Sequence, residues 1–229
     1  MASQLTEVQI AAQERLRALV QRGVELRWQT LAGFDEEDVG PWLAAVVPLV
    51  LAAQRQSVTL TDAYLARTLQ RQPLGLPVSV ILGALRGGVS PQIVYRRPFV
   101  HVWTALSKGT PYEQAVAAGL AHAKSSAAMD VQLAHRAALQ AVHEREPRIR
   151  GWRRAADADA CPYCLKLDGA FVKSAEAMPM HPGCGCGLEP AEREPKESPL
   201  PTGVAVHEHG EYGPTLADPS HDFTTATDL

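Results

Sequence analysis

The placement of the cysteines constrains this chain more than any other feature. All four lie between residues 161 and 186 of a 229-residue sequence. The first two form Cys161-Pro-Tyr-Cys164, and 16 residues later comes His181-Pro-Gly-Cys184-Gly-Cys186. Disulfide frameworks usually spread their cysteines to link distant loops, whereas clustered pairs are typical of metal sites in a reducing compartment. The candidate metal ligands are therefore Cys161, Cys164, His181, Cys184 and Cys186.

This set of side chains favours zinc. Thiolate and imidazole ligands together select zinc by their softness and by its tetrahedral geometry. A site closed by four protein ligands is structural, because no position stays open for water or substrate. Five candidates compete for four positions, and the sequence leaves open which one is omitted. A redox C-x-x-C or free buried thiols are the alternatives, but the redox motif needs a βαβ context that this sequence does not indicate.

Composition favours a mainly α fold. Aromatic residues make up only 6% of the chain and alanine is abundant, so residues 1–146 are predicted to form a helical body. Its clearest helix covers residues 111–146. One face of that helix carries Val116, Leu120, Ala123, Ala127, Val131, Ala134, Ala138 and Val142. In an N-terminal helix, the residues predicted to face the core are Leu5, Val8, Ala12, Leu16 and Leu19.

Proline and glycine divide the helical body. Pro48 is expected to kink or break a helix over residues 39–70, and Pro98 to interrupt a helix that begins at Ser90-Pro91. Six glycines and prolines within residues 72–90 predict an irregular connector.

The remainder of the chain reads as a small module followed by a tail. Residues 147–190 are predicted to be a compact α+β zinc module, with a strand over 148–154 and a partner strand over 170–172. Residues 191–229 are predicted to be a proline-rich linker and an extended or disordered tail. The proline-rich composition itself begins near residue 187, and the segment 204–229 is acidic without helical periodicity.

Charge and hydropathy limit the classes of function. A net charge of −3 provides no general basic field for nucleic acid. The N-terminus lacks the charged start and apolar centre of a signal peptide, so a soluble intracellular protein is expected. The longest apolar run, residues 41–53, is too short to span a bilayer and suits a buried helix, so no membrane partner is expected.

The cysteine region resembles a known family. The order C-x2-C, then Leu167, Gly169 and Phe171, then H-P-x-C-x-C is similar to the C-terminal motif of Mu F-like minor head proteins of tailed bacteriophages. That motif usually has arginine where this chain has Gly185. The resemblance covers about residues 150–190. It implies a structural protein inside the virion head, made in the host cytoplasm, with the portal or major capsid protein as partner and a role in assembly or in DNA packaging and ejection.

Two other functions compete with that interpretation. A zinc-bound HNH-type nuclease needs a histidine general base and a further metal ligand, but no His or Asn lies between Cys164 and His181, so an enzyme is not expected. A zinc-ribbon DNA-binding protein is the main alternative. The basic strip that would contact DNA, packaged or free, consists of Arg145, Arg148, Arg150, Arg153 and Arg154.

Histidines outside the cysteine motif give weaker signals. His101, His122, His135 and His143 fall on predicted helices, where surface or core roles are more common than metal binding. The H-x-H pair of His207 and His209 suits a metal on an extended strand, but the sequence shows no further ligand beside it.

Overall fold

A computed structural model describes residues 2–181, 183–195 and 205–217. It confirms the mainly α fold, with small strands confined to the C-terminal part. The helices are α1 (Gln4–Trp28), α2 (Glu36–Thr68), α3 (Val78–Ala84), α4 (Pro91–Ser107), α5 (Tyr112–His143) and α6 (Pro162–Lys166). The strands are β1 (Gly151–Ala155), β2 (Phe171–Val172), β3 (Gly187–Ala191), β4 (Ala205–His209) and β5 (Gly213–Ala217).

Helices α1, α2, α4 and α5 pack around an aromatic and aliphatic core. Trp42 is fully enclosed and donates its indole N–H to the carbonyl of Tyr95 at 2.7 Å, which ties α2 to α4. By length and composition α2 is apolar enough to cross a membrane. In this structure Trp42, Val46 and Val50 of α2 are buried against the neighbouring helices instead.

The long helix α5 confirms the predicted face. Its small core-facing side chains have no exposed surface, from Ala123 through Ala127, Val131, Ala134 and Ala138 to Val142. Gly119 extends this face, because a Cβ there would lie 2.5 Å from Cγ2 of Val102 on α4. Small residues thus allow α4 to approach α5 closely, and α5 lies at the centre of the helix packing.

The predicted core face of α1 is wrong. Leu5, Val8 and Leu19 are exposed, and of the predicted set only Leu16 is fully buried. The buried face instead carries Thr6, Gln9, Ile10, Gln13, Leu16, Val20, Val24 and Trp28. Two of these polar side chains can face inward because α2 provides their hydrogen-bonding partners: Thr6 Oγ1 lies 2.8 Å from the Tyr64 hydroxyl, and Gln13 accepts from the Ser57 hydroxyl. The pattern of hydrophobic residues along a sequence does not show which polar side chains have hydrogen-bonding partners on another helix.

Neither internal proline breaks its helix, although the sequence predicted a kink or break at Pro48 and an interruption at Pro98. Helix α2 continues through Pro48 and α4 continues through Pro98. An internal proline costs about 3 kcal/mol or more. Buried residues on both sides of each proline supply packing that offsets this cost. The connector at 72–90 contains α3 and a 3₁₀ turn at Leu85–Gly88, because Val78–Ala84 buries Ile81 against the second core cluster.

Strands β1, β2 and β3 form an antiparallel sheet in the order β2-β1-β3. The predicted partner strand at 170–172 is confirmed as β2, while the strand predicted at 148–154 begins only at Gly151. The first residues of the proline-rich stretch form β3, which pairs with β1 along its length. Trp152 and Leu188 belong to the same buried cluster as Leu139 of α5, so the sheet shares a core with the helices.

Residues 205–217 form the β4–β5 hairpin, which folds back onto its own chain. The Leu216 N–H donates to the carbonyl of Met180 at 2.7 Å. At the turn, Glu211 pairs with Arg97 at 2.5 Å and with Arg86 at 3.0 Å. This part of the predicted tail is therefore extended but docked, and its remaining residues lie outside the described ranges.

A polar layer between α1, α2 and α5 predicts an acid sensitivity. His135 Nδ1 lies 2.7 Å from Thr61 Oγ1. Burial lowers the pKa of His135 from the ordinary 6.5 to about 4, and the positive charge of the nearby Arg17 is the second, smaller cause. As the pH falls, His135 is therefore protonated in the unfolded chain at a higher pH than in the folded protein. Its contribution to stability is present above pH 6.5 and is lost as the pH falls towards 4.

We expect the urea midpoint of the protein to fall over this pH range, and to fall less in His135→Asn, whose amide can replace Nδ1. Urea titrations of both proteins in matched buffers measure the difference. Equal slopes against pH would rule out His135 as the titrating group.

Candidate metal centre

The first two cysteines are positioned by the short helix α6. Cys161 is its N-cap and its Sγ accepts a hydrogen bond from the Cys164 N–H at 3.4 Å. Pro162 occupies the first turn, where its missing N–H removes no helical bond. One tight turn thus places both sulfurs on the same side, as the C-x2-C spacing predicts.

The second motif brings the remaining candidates to the same place. His181 Nε2 lies 3.3 Å from Cys161 Sγ and 3.2 Å from Cys164 Sγ, and Cys164 Sγ lies 3.5 Å from Cys184 Sγ. The ligand atoms form two overlapping triads, Cys161–Cys164–His181 and Cys164–Cys184–Cys186, each within 4.8 Å. Sulfur and nitrogen atoms at these separations can share one ion, because metal bonds of about 2.0–2.3 Å bring tetrahedral ligands to similar distances.

Cys186 has a second neighbour that the sequence did not indicate. Its Sγ lies 3.8 Å from Asp157 Oδ1. The space above Gly185 is filled by the same carboxylate, since a Cβ at Gly185 would lie 1.6 Å from Asp157 Oδ2. A side chain at position 185 would displace the Asp157 carboxylate, and with Gly185 the loop can place that carboxylate beside the cluster.

Arg154 is the main correction to the sequence-based site. It was predicted to be part of a basic strip, but it is 3% exposed and points into the cysteine cluster. Its Nη2 lies 3.0 Å from Cys164 Sγ and 3.1 Å from Cys184 Sγ, and its Nη1 donates to the carbonyl of Pro179. In the described part of the chain no carboxylate pairs with Arg154. The sulfurs are therefore its counter-charge.

The electrostatics of the cluster favour a thiolate at Cys184. Hydrogen bonds from the Cys164 and Cys186 thiols lower the pKa of Cys184 well below its ordinary value, and Arg154 lowers it further. Cys164, hydrogen-bonded to Cys184 and Cys186, has a raised pKa. Burial by itself would lower the pKa of Arg154, but the facing sulfurs of Cys184 and Cys164 raise it above its ordinary value. A buried cation thus stabilises negative charge where a metal–thiolate centre would carry it.

The helical body contacts the cysteine loop directly. Gln132 Nε2 of α5 donates to the Cys184 carbonyl at 3.0 Å, and the Arg17 guanidinium of α1 donates to the same oxygen. Gly187 lets α1 approach, because a Cβ there would lie 2.7 Å from Cγ1 of Ile10. Sequence spacing gave no signal for Gln132 or Arg17. For Arg154 the sequence did carry a signal. Side chains alternate between the two faces of strand β1, and Arg154 lies on the same inward face as Trp152.

The other predicted residues lie away from this cluster. Arg145, Arg148 and Arg150 are exposed, and Arg153 is half-buried over the ring of Phe171. His101 and His122 stack on each other with ring centroids 4.2 Å apart, and His143 lies near Trp152. His209 stacks on Tyr212 and His207 is exposed. Among the described residues, the two cysteine triads are the only groups suited to a metal ion.

Comparisons of the chain with protein-family models, with curated proteins and with solved structures found no match. The chemistry of the site therefore rests on the residues themselves. A Cys/His cluster that could hold a metal ion is present between α6, β1 and the loop before β3.

Proposed function

We propose that the cluster binds one structural zinc ion and that the chain is a structural protein rather than an enzyme. The observation that carries the zinc proposal is the meeting of four thiols and one imidazole around a buried arginine that, among the described residues, has only sulfur as counter-charge. Zinc suits a set of cysteine and histidine ligands. In this proposal Cys161, Cys164 and His181 are three of the four zinc ligands, and Cys184 or Cys186 is the fourth.

In this proposal the metal holds together segments that bury little apolar surface of their own. The cluster joins α6 to the loop at 181–186, and that loop is held in turn by Arg17 and Gln132 of the helical body. Few large apolar side chains, among them Leu167 and Leu216, pack around the sulfurs. Metal ligation would therefore supply much of the folding free energy of this region.

The biological role that we propose is that of a minor head protein of a tailed bacteriophage, located in the virion. It is supported by the resemblance of residues 150–190 to the Mu F-like motif. The proposed partners are the portal protein or the major capsid protein. Purified heads of the phage that encodes the chain should contain it at a fixed copy number, measured by quantitative mass spectrometry. Its absence from heads would overturn this role.

DNA binding is the second candidate, because Arg145 and Arg150 of the predicted basic strip are exposed. Two members of the predicted basic strip weigh against it. Arg154 faces the sulfurs, and Arg148 is engaged by Glu146 at 2.9 Å. Affinity for unrelated duplex DNA that falls steeply with salt, and that weakens in Arg145→Gln/Arg150→Gln, would favour this function over the head-protein role.

A further inference from the structure

The five candidate ligands meet in one place, but charges of opposite sign lie beside different sulfurs. Distance does not choose between Cys184 and Cys186, because both belong to the triad that contains Cys164. A closed zinc site has four protein ligands, so one of the five candidates is left out. The charged and polar groups beside each sulfur therefore decide which cysteine binds the metal.

Cys184 lies beside a cation. It is 3% exposed, and Arg154 Nη2 lies 3.1 Å from its Sγ and 3.0 Å from Cys164 Sγ. A guanidinium at these distances stabilises thiolate, which is the form of cysteine that binds metal. Gln132 and Arg17 both donate to the Cys184 carbonyl, so the backbone that carries this sulfur is held in place. Cys184 therefore has the surroundings of a metal ligand.

Cys186 lies beside an anion. It is half-buried, and its Sγ lies 3.8 Å from Asp157 Oδ1. A carboxylate only accepts hydrogen bonds, so this contact is favourable for a thiol, which can donate, and repulsive for a thiolate. A thiol is a much weaker acid than a carboxyl group, so a proton shared between the two stays on sulfur. The Asp157 carboxylate therefore favours Cys186 as a thiol rather than as a metal ligand.

The balance of charges also favours three thiolates over four. Zinc with three thiolates and one imidazole carries one net negative charge, whereas zinc with four thiolates carries two. Arg154 has no carboxylate partner in the described part of the chain, so its positive charge offsets the smaller of these. Arg17 lies on the carboxylate side, since a Cβ at Gly185 would be 1.6 Å from Asp157 Oδ2 and 3.5 Å from Arg17 Nη2. A fourth thiolate at Cys186 would add negative charge beside Asp157, at a cost in free energy.

We propose that Cys186 is the candidate that zinc leaves out, and that it remains a thiol which donates to Asp157. The four ligands are then Cys161, Cys164, His181 and Cys184. This assignment rests on the zinc proposal and narrows its ligand set. Cys186 is half-buried in the loop that the zinc keeps folded, so its thiol stays covered until the metal is removed.

Zinc affinity in two single variants tests the assignment, measured by competition with a chelator under reducing conditions. Cys186→Ala should keep one zinc per chain, with a dissociation constant within about threefold of that of the unaltered protein. Cys184→Ala, the matched variant two residues away, should raise the dissociation constant at least about a hundredfold. Loss of a group that only supports a ligand already costs about 10–100-fold, and here a ligand itself is lost. Circular dichroism verifies that the helices of each variant remain folded.

X-ray absorption at the zinc edge provides the second measurement. Three sulfurs and one nitrogen should surround zinc in the full chain and also in Cys186→Ala. Four sulfurs in the full chain, or loss of a sulfur in Cys186→Ala, would overturn the assignment. So would a folded Cys186→Ala that binds zinc as weakly as Cys184→Ala, or a Cys184→Ala that binds it as tightly as the full chain. A full chain that holds no zinc would instead refute the zinc proposal itself, so the two failures are distinguishable.

Discussion

Replacement of Cys164 by serine is expected to release the metal and unfold the loop region around it, while leaving the helical body intact. Cys164 belongs to both ligand triads and faces Arg154, so its loss removes a shared ligand and part of the arginine's counter-charge. In isolated zinc-finger peptides the metal contributes about 10–16 kcal/mol, and most of that contribution would be lost here. Amide hydrogen exchange should rise to near-unfolded rates between residues 157 and 186.

The structure also sets the limits of that unfolding. Strands β1 and β3 pair with each other and bury Trp152 and Leu188 against α5, so they should retain protection. The matched control is Leu165→Ser, because Leu165 is on the same helix but is 57% exposed. Retained protection of residues 157–186 in metal-free Cys164→Ser would mean that the fold of this region does not depend on the metal.

Replacement of Asp130 by alanine is expected to destabilise the helical body by about 3–5 kcal/mol, because it leaves a buried arginine with a weaker counter-charge. Asp130 accepts hydrogen bonds from Arg86 Nε at 2.5 Å and from the Tyr95 hydroxyl at 2.8 Å. The side chains of Arg86 and Asp130 are 3% and 5% exposed. Because Arg86 also holds Tyr212 and Glu211, the β4–β5 hairpin should detach at lower denaturant than the helices.

Guanidinium titrations followed by circular dichroism measure this loss. The control is Glu36→Gln, which removes an ion pair with Arg96 whose side chains are 65% and 50% exposed. A pair in that setting contributes about 0–1 kcal/mol. If Asp130→Ala were no more destabilising than Glu36→Gln, the buried ion pair would not hold the hairpin and the helices together.

The sequence predicted those parts of the fold that depend on local pattern. The face of α5 was predictable because alanine and valine recur at helical spacing without polar interruption, and residues 170–172 were predicted as the partner of the strand at 148–154. Residues 148–154 contained strand β1, although the strand begins later than predicted. Interruption by Pro98 was predicted from local energetics alone, and tertiary packing of α4 overrode it.

Prediction failed where the explanation lies in a distant segment. The inner face of α1 was missed because Thr6 and Gln13 are satisfied by Tyr64 and Ser57 on α2. For the metal centre, the spacing of the cysteines and His181 predicted the five candidate ligands. Arg154, in contrast, was assigned to a basic strip on the surface. Its burial depends on sulfurs that are 10 and 30 residues away in sequence. A charge count along the chain cannot distinguish an arginine that binds phosphate from one that neutralises thiolates.

Metal analysis of the full-length protein, purified under reducing conditions, tests the central claim most directly. Elemental mass spectrometry should find one zinc per chain, and the four cysteines should resist a thiol reagent until a chelator is added. Less than about half an equivalent of zinc, with all four thiols reacting freely in the folded protein, would contradict a structural zinc centre at Cys161, Cys164, His181 and Cys184 or Cys186.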